Sequence, residues 1–407
     1  MRVAVSATRL HRPFQVLFIQ QGIKGLIAEY DPSTGFGDLE VKLTSTSSER
    51  NFSGTWALFL AFGLVWTSFK LRQARGWFFF NGTVRGMIAD YSTALMVIMW
   101  TAISYGCSNT PDDIPRRLVI EDALEPEGQK NWHVLSSLDE LSSGDVWIAA
   151  IPAFVITILF FFDHNVSAQL AQVREFNLKK PHAYHWDFFL LGVMTLVCGL
   201  CGVPPVNGVI PQAPLHTENC GEMVQDKSRP DSKPVRMTKE QRWTNLIQAL
   251  LIMVCIFIQP VIKTIPRSVL WGFFIYMGLE ALEGSQLWER IQLLFADKHE
   301  LPRLLKTEEY SYLNGVAIGD VHKFTMLQLF GFAVCYGLTW AGSIGIAFPV
   351  LIMAVVPARK NLFPKLIKAS VLTALDPLES EHDDNDNDGG EGGAPSDESG
   401  AIQITAI

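Results

Sequence analysis

An ionisable pair, Asp163 and His164, closes a run of seventeen uncharged residues, 146–162. In hydrocarbon a carboxylate costs roughly 3 kcal/mol on insertion scales. Asp163 is therefore expected to face the protein interior or a water-filled cavity, and to mark an ion or substrate path. The plainer alternative is a carboxylate at the membrane edge, capping its helix or pairing with Lys179 or Lys180. The uncharged, small-residue run VSAQLAQ that follows speaks against this, because it continues the helix for two more turns. His164 and Asn165 lie about 100° and 200° further round a helix, so neither points where Asp163 points and at most one lines the same cavity. His164 is a candidate for tuning protonation near neutral pH, with packing between helices as the alternative.

About forty residues later the apolar stretch ending at Val203 is broken by Pro204, Pro205, Asn207 and Gly208, then resumes as the short GVIPQAPLHT. A discontinuous membrane helix reads this way. The two prolines stop the incoming helix, Asn207 or Gly208 opens the turn, and the amides of Val209 and Ile210 are left for a ligand at the new N-terminus, which attracts anions. Pro211 and Pro214 remove further amides, limiting the helix and leaving carbonyls free for water or hydroxyl groups. The alternative is a Pro-rich re-entrant kink without a ligand.

These groups need long apolar elements to position them. With 407 residues, 48% of them hydrophobic, the chain has ample apolar material, and it is clustered into long runs. That clustering predicts a multi-pass membrane protein of helices. Predicted spans cover 13–27, 52–69, 87–105, 146–162, 188–203, a half-helix at 208–215, 246–265, 269–282, 324–340 and 344–356. Lys70, Arg72, Arg75 and Arg85 make the connection 70–85 basic without acid, whereas 106–145 is rich in Asp and Glu; the first is placed in the cytoplasm and the second outside. Continued alternation puts Lys179 and Lys180, and the basic residues of 227–242 and 359–368, on the cytoplasmic side.

Net charge is −8, but much of the acid sits in the Gly-rich segment 376–399, which cannot bury enough apolar area to order itself. Its DDNDNDGG fails as a calcium loop, since a count from Asp384 puts Pro395 where the bidentate Glu must stand. The six cysteines, including the Cys198–Cys201 pair, are expected as free thiols. His182 and His185 sit with Tyr184 and Trp186 at an expected interface; they read as a belt anchor, because no third zinc ligand has a recognisable spacing. With no nucleophile, metal set or phosphate loop beside Asp163, enzymatic function is not expected, and neither a cofactor nor a nucleic-acid partner is implied.

The motifs FFFDHNVSAQLAQ, EFNLKKPHAYHWD, CGLCGVPPVNGVIPQAPLHT, SVLWGFF and QLWERIQLLF closely resemble borate efflux transporters of plants and algae, in the bicarbonate and anion exchanger superfamily of band 3. The resemblance runs from about Phe14 to Pro357. It implies an all-α fold of fourteen spans in two inverted repeats of seven, with the chain entering at the fifth span, so that the first four are expected to be missing. It also implies a domain plan: 1–106 as gate-type spans of the first repeat, 107–145 as an external loop, 146–265 as core spans with the half-helix, 266–357 as further gate-type spans, and 358–407 as a cytoplasmic, disordered acidic tail. Asp163 matches the superfamily's acidic ion-site position. Gln212 stands where chloride and bicarbonate exchangers carry Arg, and an amide that donates and accepts suits a polyhydroxylated substrate better. The implied function is export of borate or boric acid by alternating access, proton-coupled or by exchange, in the plasma membrane and with a homodimer as the family's assembly. The expected site is Asp163, Asn207, Gly208, Val209, Ile210 and Gln212, tuned by His164, with no metal. Bicarbonate or another anion is the alternative substrate. An inactive fragment, or a regulatory or assembly subunit without flux of its own, is the alternative of another class.

Overall fold

The computed structural model describes residues 16–30, 46–107, 110–111, 114–120, 134, 142–173, 176–208, 212–224, 235–282, 286–297, 299–305, 307–313, 315–338, 340, 361–368, 371–372 and 375. The expected span at 344–356 lies outside them, as does the expected tail 358–407 apart from 361–368, 371–372 and 375.

In chain order the helices are α1 (Val16–Tyr30), α2 (Ser47–Arg72), α3 (Gly82–Asp90), α4 (Ser92–Ile103), α5 (Ser143–Ala171), α6 (Tyr184–Leu200), α7 (Gln212–Asn219), α8 (Trp243–Cys255), α9 (Gln259–Ile262), α10 (Arg267–Leu282), α11 (Gln286–Leu294), α12 (Leu301–Leu304), α13 (Ile318–Leu338) and α14 (Phe363–Leu366). Strands β1 (Gly221–Val224) and β2 (Val235–Thr238) form one antiparallel hairpin in register Gly221↔Thr238 to Val224↔Val235. The described fold is thus mostly helical, and this hairpin is an addition to the all-α expectation. It occupies a connection whose polarity masked two short strands, stapled by Lys239 Nζ on Glu222 Oε1 at 2.6 Å.

The longest apolar helices start at strong caps. Thr46 and Glu49 form a reciprocal capping box ahead of α2, and Ser142 with Asp145 does the same for α5. The 29 residues of α5 extend about 43 Å at 1.5 Å per residue, beyond the roughly 30 Å of a bilayer core. Together α2 and α5 are long and apolar enough to cross a membrane. The expected continuous span at 87–105 is instead two helices, α3 and α4, bent by 69° at Tyr91. Asn81 caps α3 by accepting the Val84 amide at 2.8 Å. Large apolar side chains stand exposed on α5 and α6, among them Trp147, Ile151, Phe154 and Phe189, and α8 buries none of its residues. In a membrane protein these are lipid-facing surfaces.

The described residues divide into two compact units. One gathers those in 12–128 and 243–285, which hold α1 to α4 and α8 to α10. Here α10 packs against α1, α2 and α4. Its core is Leu60, Leu64, Met96, Trp100, Val269 and Tyr276, and Trp100 Nε1 donates to Thr67 Oγ1 at 3.0 Å. Glycines set the spacing, because hydrocarbon offers helices no hydrophobic drive to associate and close backbone approach must supply the packing. A Cβ on Gly272 would lie 2.8 Å from both the Ala61 Cα and carbonyl oxygen, backbone atoms that cannot rotate away. Gly272→Ala is expected to cost about 2 kcal/mol of stability by overpacking. Gly192→Ala on α6, where a Cβ meets nothing within 4 Å, is the control and should be neutral or slightly stabilising. Thermal unfolding of the two purified variants checks the contrast.

The other unit gathers described residues of 129–242 and 286–407. Leu293 of α11, Tyr310, Leu313, Val321 and Phe324 of α13, and Ile367, Val371, Leu372 and Leu375 form one of its clusters. The Arg290 guanidinium lies 5.2 Å from the Phe324 ring centroid and donates to Gln328 Oε1. Elsewhere in the unit α5 packs on α6 and α7, and this corner holds the candidate site.

Candidate functional site

Asp163 is half-buried on α5 and stands well inside the helix, with eight further residues, about 12 Å, before Ala171. It does not cap the helix end. Of the lysines named as its alternative partners, Lys180 has its Nζ 3.7 Å from Glu240 Oε2, and the Lys179 and Lys180 amides donate to Glu240 Oε1 at 2.6 and 2.9 Å.

The Lys180 amide first, then the Lys179 amide and the two ammonium charges, hold the Glu240 carboxyl below its ordinary value; burial, second in size after the Lys180 amide, opposes them. A depressed folded value means that the carboxylate's stabilisation of this connection is present above the unfolded value of about 4.3 and is lost as pH falls through the folded one. Exchange protection of the Lys179 and Lys180 amides is therefore expected to persist at neutral pH and to fade below about 4.3, and Glu240→Gln should weaken it at neutral pH.

One turn after Asp163, Ser167 is buried on the same helical face at i, i+4, and it also neighbours His164 at i, i+3. Asn165 is buried and turned into its own helix, where its Nδ2 donates to the Phe161 carbonyl at 2.6 Å. His164, of the two residues that follow Asp163, reaches the broken-helix segment. A Cβ on Gly208 would lie 3.4 Å from Ser167 Oγ and 3.5 Å from His164 Nδ1. The His164 ring also lies 6.2 Å from that of Phe188 on α6.

The chain leaves α6 through Cys201 and Gly202, the latter at φ +68°, and runs without regular structure through Pro204, Pro205 and Asn207. Asn207 Oδ1 accepts the Gly208 amide at 2.8 Å, which fixes the turn. Val209 and Ile210, expected to present amides to the substrate, lie outside the described residues, as does Pro211. The half-helix itself is α7, described over Gln212–Asn219 against the expected 208–215, with Gly208 outside regular structure. The reason is Pro214: in a helix begun at Gly208 its ring would meet the carbonyl of residue 210, whereas in α7 it falls in the first turn, where proline is tolerated. In the first turn of α7 Pro214 has no amide to offer. Gln212 is exposed at this N-terminus. The terminus therefore carries fewer donors than an ordinary helix start, and an amide side chain in place of a cation.

The structure thus brings His164 and Ser167 to Gly208, where α5 packs against the segment that leads into α7, with Asp163 one turn before Ser167 on the same helix. Ser167 was not singled out from the sequence. Its signal was there, a small hydroxyl one turn beyond the intramembrane acid.

Buried polar groups on a long apolar helix, set beside a broken one, fit an integral membrane protein of transporter type. The chain belongs to the family of the HCO3− transporter integral membrane domain, whose model matches residues 38–380. It is 36% identical to Boron transporter 4 of Arabidopsis thaliana over 90% of this chain and 64% of that protein. It is 32% identical to Boron transporter 1 of Saccharomyces cerevisiae over 83% of this chain and 55% of the other. Identity to Sodium bicarbonate cotransporter 3 of Homo sapiens is 31% over 75% of this chain and 24% of that one. The resemblance read from the motifs is borne out. The chain spans about 64% of the length of its plant relatives.

Proposed function

We propose that this protein is a secondary transporter that exports borate or boric acid across the plasma membrane by alternating access. The observation that carries the reading is Asp163 inside α5, with Ser167 one turn on and Gly208 of the broken segment set against that helix. In this reading α7 is the half-helix of the second of two inverted repeats, and the described helices correspond to spans from the fifth onward. Residues 146–265 act as core and 1–106 with 266–357 as gate, 107–145 is an external loop, and 358–407 is a cytoplasmic tail. The packing of α10 on α1, α2 and α4 supports a gate assembled from both repeats. The substrate contacts are Asp163, Asn207, Gly208, the amides of Val209 and Ile210, and Gln212, and two protomers form the assembly. If protons couple to flux, Asp163 is the group that carries them.

Borate is favoured as substrate by the named function of the plant relatives and by the amide side chain of Gln212, which both donates and accepts. Bicarbonate is the second reading, supported by the family and by the human relative. Vesicles carrying the purified protein, loaded in turn with boric acid, bicarbonate and chloride, separate the two. The proposal expects boron to move fastest; faster bicarbonate replaces it with the second reading.

A further inference from the structure

The basic connection between α2 and α3 takes no part in the proposed site, yet it holds four aromatic residues in succession, Trp77, Phe78, Phe79 and Phe80. Phe78 is 95% exposed, and Phe79 and Phe80 stand exposed beside it. The rings form a strip, with centroids 4.8 Å apart for Trp77 and Phe79, 5.1 Å for Phe78 and Phe79, and 5.4 Å for Phe79 and Phe80. Phe80 holds φ +67°, a left-handed backbone that a bulky residue adopts only under constraint. The constraint comes from both sides: Arg85 Nη1 donates to the Trp77 carbonyl, and Asn81 caps α3 directly after Phe80. The turn is thus held in a shape that keeps three rings exposed, and a contiguous apolar patch of this kind marks a surface that something covers.

Two observations specify the occupant. The first is continuity with the membrane face. Phe62, Trp66 and Lys70 follow at i, i+4 and i+8 on α2, so one exposed stripe of that helix passes from apolar rings to a cation, as a lipid-facing helix does on reaching the headgroups. Beyond the turn, α3 leaves the line of α4 by 69° and exposes Val84 and Met87 at i, i+3, the form of a helix that lies along an interface. The second is charge. Residues 70–90 carry Lys70, Arg72, Arg75 and Arg85 against Asp90 alone. The Arg75–Asp90 pair, at 2.6 Å, is exposed on both sides and worth little in water, so its cation is readily given to a phosphate. We propose that the turn 76–80, α3 and these cations form a seat for anionic phospholipid, in which the rings enter the acyl boundary and Lys70 and Arg75 meet the headgroup. An acidic polypeptide would satisfy the cations and leave the rings in water. The cytoplasmic placement of this connection agrees, because anionic lipid is concentrated in that leaflet.

The inference needs α2 to span the bilayer and is independent of the substrate. Hydrogen exchange across residues 76–88, read by mass spectrometry, tests it on the purified full chain in nanodiscs of phosphatidylcholine alone or mixed with phosphatidylserine. Phosphatidylserine is expected to slow exchange there by about fivefold or more, the strengthening that one cation near an anionic surface supplies. High salt should remove most of that slowing, a check that uses the unaltered chain. Lys70→Gln with Arg75→Gln is expected to abolish the response, and Phe78→Ser with Phe79→Ser to speed exchange in both lipids. Lys365→Gln with Lys368→Gln, at two exposed cations in and just beyond α14, should leave the response as it is. Circular dichroism checks the folding of each variant. Equal exchange of the unaltered chain in the two lipids overturns the seat, and so does a loss in the Lys365 and Lys368 pair as large as in the Lys70 and Arg75 pair. Slowing by soluble polyglutamate and not by phosphatidylserine overturns it in favour of an acidic protein partner.

Discussion

Asp163→Asn is expected to lower boron flux by about a hundredfold or more while the protein still inserts and folds. The carboxylate lies half-buried on an apolar helix, where an ionisable group is retained for a path and not for packing. Asn keeps the volume and the hydrogen-bonding oxygen, so loss of flux isolates charge and proton exchange. A hundredfold loss corresponds to about 2.7 kcal/mol, the scale of one interaction with a charged group in a poorly solvated site. Tracer efflux from vesicles, normalised to folded protein, reads the effect, and the variant should also flatten any pH dependence of flux. A purely structural Asp163 would instead lower the yield of folded protein and leave flux per molecule unchanged.

The second large effect concerns stability in the other unit. Glu29, near the end of α1, is 5% exposed, and its carboxylate lies 3.6 Å from Arg116 Nη1 and accepts from Ser53 Oγ of α2 at 3.4 Å. Arg116 and its neighbours are stitched to the start of α10: the Arg267 amide donates to the Arg116 carbonyl at 2.9 Å, and the Leu118 amide to that of Ile265 at 3.1 Å. Arg117 caps the Tyr105 ring at 3.9 Å and donates to the Thr264 carbonyl. The segment 114–118 thus ties α1, α2 and α10 together on the side read as external. Arg116→Met takes the cation from a buried carboxylate and should cost about 3–5 kcal/mol. Glu29→Gln in the same molecule removes the stranded charge, so the double variant is expected to recover most of the loss. Melting temperatures of the four proteins close this cycle; a double variant as unstable as the sum of the singles would show that the two residues act separately.

What the sequence made legible follows from what hydrocarbon demands of it. Asp163 could be read because charge is costly there, and the break before α7 because Pro204, Pro205 and Gly208 interrupt an apolar run. Helices stand where the apolar runs were read, but α5 extends well beyond the expected 146–162 and the expected 246–265 is divided into α8 and α9. Three features lay deeper. The 69° bend at Tyr91 is invisible because 87–105 is apolar on both sides of it and carries no proline. The exclusion of Gly208 from α7 depends on where Pro214 falls within a turn, which an apolar pattern does not resolve. The Glu29–Arg116 pair joins residues 87 positions apart, and neither carries a local mark of burial. In the site, His164 could be tied to Asp163 only as its neighbour in the chain. Its approach to Gly208, and the selection of His164 over Asn165, come from the packing of two elements.

The measurement that tests the central claim most directly is boron efflux from cells expressing this protein beside its Asp163→Ala variant, with any in-frame upstream sequence restored in a parallel pair. The account predicts that cells with the unaltered residue lose boron faster than control cells and that the variant abolishes the difference. Export of bicarbonate or chloride with no movement of boron would contradict the substrate. Boron export untouched by the variant would contradict the site.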